Sequence, residues 1–481
     1  MHSIDEGADV MAIPELAWPN ALGTRRHLSD DAVVIVPGIM GTELIDAESR
    51  RPLWGLCRLG WYVRAWSRGE GLEELALTED ELAGKTGRVL PNGLLRFPAY
   101  MPLVSGMEPY GPLTKAIRRA SIHPEAVLEF GYDWRLPVRH NAVLLAAAAG
   151  DHLERWRKRA DRPDAQLVFV AHSMGGLLCR AMPQDGELTR TISATVTMGT
   201  PFDGAVKAAV ILGSGEGAPV PARRLRDVAR TMPGIYDLLP MYRCVHDGLD
   251  VRHLTPTDIA NLGGIHELAE AAFDTHRTRR ALTEHLPLVG LRQPTPSSIT
   301  IDNGVITMQG YTFRPAPNGD VERMANGIPS RFVGLGDGTV PRNSAVPERA
   351  GMFERVSQQH GSLASCAEAI DFILDVLRHR IEDRGPRLGN SDGIGIDVPD
   401  HVQPGIGWRA EIAGASRLQA MCVVSDADSG EELDHPDLMP TDDKLVADIT
   451  LPAPGLYRIT VTGGGGSPVS QLVMAAEPAQ P

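Results

Sequence analysis

Residues 168–176 read Val-Phe-Val-Ala-His-Ser-Met-Gly-Gly, and this stretch is equipped for covalent chemistry. A buried-strand run, Leu167 to Val170, breaks at Ala171; Ser173 follows, then Gly175, then helix-forming residues from Leu177 to Ala181. Small-x-Ser-x-Gly between a strand and a helix is a nucleophile elbow. Its turn is so sharp that the flanking residues must be small, and it lifts the serine hydroxyl clear of the sheet in strained backbone geometry. Ala171 in place of glycine is tolerable because only bulk is excluded there. The Met174 amide then points where an oxyanion would form. The plain alternative is a serine in an ordinary strand-to-helix turn.

An elbow serine needs a base, since a free hydroxyl is a poor nucleophile at neutral pH. In such a fold the acid and then the histidine follow the serine in the chain, on loops after later strands. Gly334-Leu335-Gly336-Asp337-Gly338-Thr339-Val340-Pro341 supplies Asp337 in a glycine-rich turn whose amides can bind a carboxylate. Gln358-Gln359-His360-Gly361-Ser362-Leu363 supplies His360 on a loop before a helix. His360 would take the Ser173 proton through one ring nitrogen while Asp337 fixes the other. The rivals fit less well. His172 lies on the elbow itself and suits a structural or pocket-lining role. His266 and His285 lie in or beside an insertion, and Asp203 and Asp237 lack a comparable turn. A second oxyanion donor is expected in Pro37-Gly38-Ile39-Met40-Gly41-Thr42, from the amide of Ile39 or Met40, each such donor being worth ~2.7–4 kcal/mol to the transition state. A bland turn is the alternative there.

The elements that must position these groups alternate between strand and helix. Strands are expected at Val33 to Val36, Ala126 to Phe130, Leu167 to Val170, Thr191 to Thr197, Leu286 to Leu291 and Ser330 to Val333. Helices are expected near Leu113 to Ala120, Asn141 to Ala160 and Ser362 to Glu382. Such alternation predicts a mainly parallel sheet covered on both faces. The helix from Asn141 should bury Leu145, Ala149, Leu153 and Trp156 and end in a solvated basic cluster, Arg155 to Arg159. Two interruptions, about 44–103 and 205–285, read as insertions above the strand ends that build a substrate-binding cap, or as plain elaboration of the scaffold. Trp54 and Trp61 in the first are the candidate substrate-binding side chains, and its Trp and Leu content suits a long acyl chain.

Beyond residue 383 the texture changes. Residues 384–395 read as a linker, and 396–481 as a β-sandwich. Short runs recur at Trp408 to Ile412, Leu418 to Val424, Leu445 to Ile449, Leu456 to Val461 and Ser470 to Met474, separated by turns rich in Pro, Gly and Asp. Gly463 to Gly466 lacks the lysine and helix of a phosphate loop and reads as a hairpin tip. The net charge of −14 argues against a nucleic-acid partner and offers no attraction to anionic lipid. The N-terminal residues lack the basic and apolar regions of a secretory signal, and no apolar run is long enough to span a membrane. Five scattered cysteines fit reduced thiols, so a cytoplasmic location is expected, with no metal site and no cofactor.

Five segments occur in order: Pro37-Gly38-Ile39-Met40-Gly41, Tyr132-Asp133-Trp134-Arg135, Ala171-His172-Ser173-Met174-Gly175-Gly176, Gly199-Thr200-Pro201 and Gly336-Asp337-Gly338-Thr339-Val340. On these the chain resembles the lecithin:cholesterol acyltransferase-like α/β-hydrolases, which include lysosomal phospholipase A2 and bacterial lipases, over about residues 30 to 382. The resemblance implies an α/β-hydrolase sheet with cap insertions in residues 1–383, with an Ig-like all-β sandwich added after it. It implies Ser173 as nucleophile, Asp337 as acid, His360 as base, and Ile39 and Met174 at the oxyanion hole. Asp133 and Arg135 are expected to order a loop rather than touch substrate. The family's disulfide-tied lid does not carry over, because Cys57 has no cysteine nearby.

The expected activity is hydrolysis or transfer of the acyl group of a lipid ester, a phospholipid or an acylglycerol, with peripheral contact at a membrane surface left open. Two other readings stand beside it: an esterase or thioesterase for small soluble esters, and a binding or scaffold protein acting through the sandwich on a protein or glycan.

Overall fold

The computed structural model describes residues 28–55, 72–101, 105–183, 186–216, 221–278, 280–346, 353–379, 393–416, 418–463 and 467–477. Trp61 and Cys57, and most of the expected linker, lie outside the described residues. The central sheet consists of β1 (Ala32–Val36), β2 (Val127–Glu129), β3 (Leu167–His172), β4 (Ile192–Met198), β5 (His285–Leu291) and β6 (Glu354–Ser357). Their spatial order is β6-β5-β4-β3-β1-β2, and every neighbouring pair is parallel. β1 and β3 are buried along their whole length, which is why they read as continuous apolar runs with no alternation.

Helices α1 (Gly111–Ala120), α2 (Val138–Ala160), α3 (Met174–Ala181) and α4 (Ala367–Leu377) flank this sheet. α2 buries Leu145, Ala149, Leu153 and Trp156, the stripe that period 3.6 predicts, and ends at Asp161 in the left-handed region after Arg157, Lys158 and Arg159.

One expected strand is corrected. Ser330 to Val333 does not join the central sheet: only Phe332–Val333 is a strand, and it pairs antiparallel with Tyr311–Thr312. The sixth place belongs to β6, an edge strand whose Glu354 and Arg355 give it no apolar signature. The last helix is also shorter than expected. His360–Ser362 forms a 3-10 turn and α4 begins only at Ala367.

The first insertion contains an antiparallel sheet of Pro52–Trp54, Thr42–Asp46 and Val89–Leu94. Among the described residues the second supplies five helices, Val206–Gly213, Ala222–Ala229, Pro233–Tyr236, Pro256–Asn261 and His266–Arg277, and a hairpin of Arg243–His246 and Val251–His253. That hairpin is completed by residues beyond β5: Val245 pairs with Ile299 of a further hairpin, Ser298–Asp302 and Val305–Gln309. The layer above the sheet is therefore built from chain on both sides of β5.

The C-terminal strands form two sheets around their own core. One runs through β7 (Gly395–Asp397), β8 (Trp408–Ala413) and β10 (Leu445–Ile449). The other runs through β9 (Met421–Asp426), β11 (Gly455–Thr462) and β12 (Val469–Ala475). The final residue of the expected linker, Gly395, is already in β7. β12 is buried on both faces. Val469, Val473 and Ala475 enter the sandwich core, whereas Leu472 and Met474 join the core of the α/β body. Period-2 alternation thus gives one strand two partners. Among the described residues no helix is long and apolar enough to cross a membrane.

Candidate active site

Ser173 caps the N-terminus of α3 with φ 51° and ψ −125°, a conformation that costs a side-chain-bearing residue on the order of 1–3 kcal/mol. The turn leaves no room beside it. A Cβ on Gly175 would lie 2.5 Å from the Val36 carbonyl oxygen, and one on Gly38 would lie 2.8 Å from the Ser173 Cβ. The loop after β1 is thereby pressed against the elbow. Met40 in this loop has φ 61°, and the Ile39 and Met40 amides have no acceptor among the described residues. The Met174 amide opens α3, where no intrahelical acceptor exists.

The structure brings the three expected side chains together. His360 Nε2 lies 2.9 Å from Ser173 Oγ, and His360 Nδ1 lies 2.7 Å from Asp337 Oδ2. Asp337 Oδ1 accepts the Thr339 and Val340 amides at 3.0 and 2.6 Å, and the Asp337 carbonyl accepts the His360 amide at 2.7 Å. All three side chains are buried. His360 lies in the loop just past β6, whereas Asp337 lies in a loop bridged to Gln293 just past β5, so the glycine-rich turn was legible although its supporting strand was not. A carbonyl carbon placed at Ser173 Oγ would meet a nucleophile whose proton has an immediate acceptor.

His172 shows an arrangement the sequence did not reveal. The Gly38 amide donates to Tyr110 Oη at 2.9 Å, Tyr110 Oη lies 2.9 Å from His172 Nδ1, and His172 Nε2 lies 3.1 Å from the His360 carbonyl oxygen. A carbonyl only accepts, so Nε2 carries the proton, Nδ1 accepts, and the Tyr110 hydroxyl donates. One uninterrupted chain therefore ties the loop after β1 to the backbone of His360. Burial, and then the nearby His360, hold the His172 imidazole well below its ordinary range, in keeping with this neutral tautomer.

The Tyr132-Asp133-Trp134-Arg135 run serves the same loop. Tyr132 Oη donates to the Pro37 carbonyl and Trp134 Nε1 to the Thr42 carbonyl. Arg135 is fully buried and pairs with Asp133 at 2.7 Å and Glu81 at 3.0 Å. Trp54 lies behind the loop, its Nε1 donating to the Met40 carbonyl at 2.7 Å and its ring edge-on to Trp134. An apolar cavity opens beside Ile39 and Met40. Leu72 and Leu75 close it from the first insertion, and Ile211 and Ile235 from the second. Trp54 is not among its lining residues, so the indole positions the loop instead.

The rival groups are engaged elsewhere. His285 Nε2 lies 2.8 Å from Thr197 Oγ1, with its pKa lowered to about 4 by burial. Asp237 accepts the Val138 amide at the start of α2, and burial raises its carboxyl to about 7. Between the ordinary carboxyl range and about 7 the unfolded chain has lost this proton while the folded chain keeps it. Stability therefore falls as pH rises through that window, by on the order of a few kcal/mol. Asp237→Asn keeps an acceptor for the Val138 amide and should flatten this slope in urea denaturation curves recorded across the window.

The lecithin:cholesterol acyltransferase family profile matches residues 103–274. Lysosomal phospholipase A and acyltransferase of the dog, Canis lupus familiaris, is 27% identical over 233 residues, 47% of this chain and 54% of that protein. Over these residues the chain is similar to the lecithin:cholesterol acyltransferase-like α/β-hydrolases. It spans about half the length of the curated relative it matches. Among solved structures, a chain of the Tle4–Tli4 complex is similar at 16% identity and a TM-score of 0.47, covering 72% of this chain and 98% of that one. The Bacillus licheniformis lipase BlEst2 in its propeptide form is 12% identical with a TM-score of 0.32, covering 92% of this chain and 93% of that one. The Legionella pneumophila phospholipase PlaB is 10% identical with a TM-score of 0.27, covering 93% and 91%.

Proposed function

We propose that the protein is a serine-dependent hydrolase or acyltransferase acting on a lipid acyl ester. The observation that carries this reading is the buried relay from Ser173 Oγ through His360 to Asp337 beside an apolar cavity. Ser173 Oγ attacks the ester carbonyl carbon while His360 Nε2 accepts its proton, and the carbonyl oxygen becomes an anion held by the Met174 and Ile39 amides, with Met40 as an alternative donor. The tetrahedral centre collapses, the carbon–oxygen bond to the alcohol breaks, and His360 returns the proton to that oxygen. Water or another alcohol then repeats the sequence in reverse on the acyl-serine. Asp337 holds the imidazole tautomer and stabilises the imidazolium formed at each step.

The cavity holds only about 30 Å³, but its lining is entirely apolar, which suits the first carbons of a hydrocarbon chain better than a polar acyl group. Its walls come from both insertions and begin at the loop that would bind the oxyanion, so an acyl chain entering it leaves its carbonyl beside Ser173. The test is a p-nitrophenyl ester series from acetate to palmitate, offered in mixed micelles. Rising kcat/KM with chain length is expected. A preference for acetate would point to the small-ester or thioesterase reading, and no turnover with any ester would remove the enzymatic one.

A further inference from the structure

We propose that the C-terminal β-domain is a brace for the active site, with Gln358 as the positioning residue through which it holds His360; this rests on His360 acting as the base. The loop that carries His360 is bound to that domain on both sides of the histidine. Gln358 is buried, and its side-chain amide is spent on three bonds. Oε1 accepts the Ser470 amide at 3.0 Å and the Gln359 amide at 2.9 Å, and Nε2 donates to the Pro468 carbonyl at 3.0 Å. The same group therefore grips β12 and fixes the backbone immediately before His360. Gln359 Nε2 donates to the Ile396 carbonyl in β7 at 3.2 Å. After the histidine, Ser362 Oγ donates to the Ser470 carbonyl at 3.0 Å.

A second contact closes the loop from its other face. The hairpin of Ala99–Met101 and Ser105–Met107 lies against it, and the Glu108 amide donates to the Gly361 carbonyl at 2.9 Å. This hairpin in turn rests on β12: a Cβ on Gly106 would lie 2.2 Å from the Leu472 Cβ. The Glu108 carboxylate is bound in fork fashion by Arg458 of β11, at 2.6 and 2.8 Å, and the pair is largely buried. A bidentate pair fixes both distance and angle, so the hairpin and the β-domain are locked in one register around His360.

The chemistry explains why a separate domain would do this. β6 is an edge strand only four residues long, and His360 stands beyond its end, after Gln358 and Gln359. The strand has a sheet neighbour on one side only, which leaves the following loop short of partners. Proton transfer from Ser173 needs the imidazole within a few tenths of an ångström of its place, and misplacement by about 1 Å costs on the order of 10²-fold in rate. Hydrogen bonds from β12 and β7 supply the missing support.

The test uses the full-length chain. Gln358→Leu removes the donor and acceptor while keeping an apolar volume, and Arg458→Glu breaks the fork. Each is expected to lower kcat for a long-chain ester by about 10²-fold with KM unchanged. Glu108→Arg combined with Arg458→Glu restores the pair with its charges exchanged and should recover most of the loss. The far-downfield proton NMR signal of the His360 Nδ1–H···Asp337 hydrogen bond should be present in the wild type and lost or shifted in both single variants. That signal separates this proposal from the catalytic one: a wild type that shows it but turns over no ester refutes the enzymatic reading alone. Turnover within twofold of wild type in Gln358→Leu would overturn the brace. A fall that tracks loss of folded protein, with the downfield proton intact in what remains folded, would overturn it equally.

Discussion

Ser173→Ala is expected to lower ester turnover by about 10⁶-fold, the largest effect of any single substitution in this chain. The reason is that, among the described residues around Ser173, neither candidate nucleophile can take its place. The cysteine that shares α3, Cys179, is buried with its thiol pushed up to about 12, and the Tyr110 hydroxyl is committed between Gly38 and His172. Alanine keeps the Cβ and therefore the strained backbone, so the thermal midpoint should move little. Ser173→Gly should be as inactive yet more stable than the alanine variant, because glycine occupies φ 51° without that cost. A fluorophosphonate should attach to residue 173 in the wild type and to neither variant. If the alanine variant kept more than about a thousandth of the activity, beyond the residual that binding and an oxyanion hole alone sustain, another group would be the nucleophile.

What the sequence made legible followed from constraints that act on neighbouring residues. The elbow is one, since steric exclusion forces small residues at Ala171 and Gly175 within a few positions of the serine. The Asp337 turn is another, because its carboxylate is held by amides two and three residues ahead, at Thr339 and Val340. In β11, Tyr457 to Val461 alternates because one face of the strand is less covered than the other. The omissions share a different cause: their partners are remote in the chain. Tyr110 reaches His172 across 62 positions, and nothing near a tyrosine at the start of α1 announces that its hydroxyl will sit behind a serine. β6 carries charges because it is an edge strand, and its membership depends on pairing with β5. Trp54 was assigned to substrate on composition, yet an indole has one donor, and here the Met40 carbonyl takes it. One miss had a local signal. Asn303 and Gly304, at φ 49° and 79°, join two runs of alternating apolar residues, the pattern of a two-residue hairpin. Reading it would have placed the hairpin of Ser298–Asp302 and Val305–Gln309 in advance.

Asp337→Asn should cost about 10⁴-fold in kcat with little change in KM, from a substitution that alters no shape. The direction follows from the bonds that Asp337 makes. Its Oδ1 accepts two backbone amides, Thr339 and Val340, and its Oδ2 faces His360 Nδ1. An asparagine must give its single oxygen to those amides, since two donors cannot face its nitrogen, and its amide group is then turned toward His360. A donor at that point requires Nδ1 to be an acceptor, so the proton of the neutral ring moves to Nε2. Nε2 then donates toward Ser173 Oγ instead of accepting from it, and the hydroxyl has no base. Asp337→Ala leaves the tautomer free, so its defect should be smaller per molecule of folded protein despite the larger change in structure. That ordering, asparagine worse than alanine, is difficult to obtain from a carboxylate whose role is only to pack the loop. Fluorophosphonate labelling of Ser173 should slow in parallel with turnover in the asparagine variant, because both reactions need the same proton acceptor. If labelling of Ser173 kept its wild-type rate in Asp337→Asn, the carboxylate would not be setting the tautomer, and the relay from serine to aspartate would be a packing arrangement without catalytic consequence.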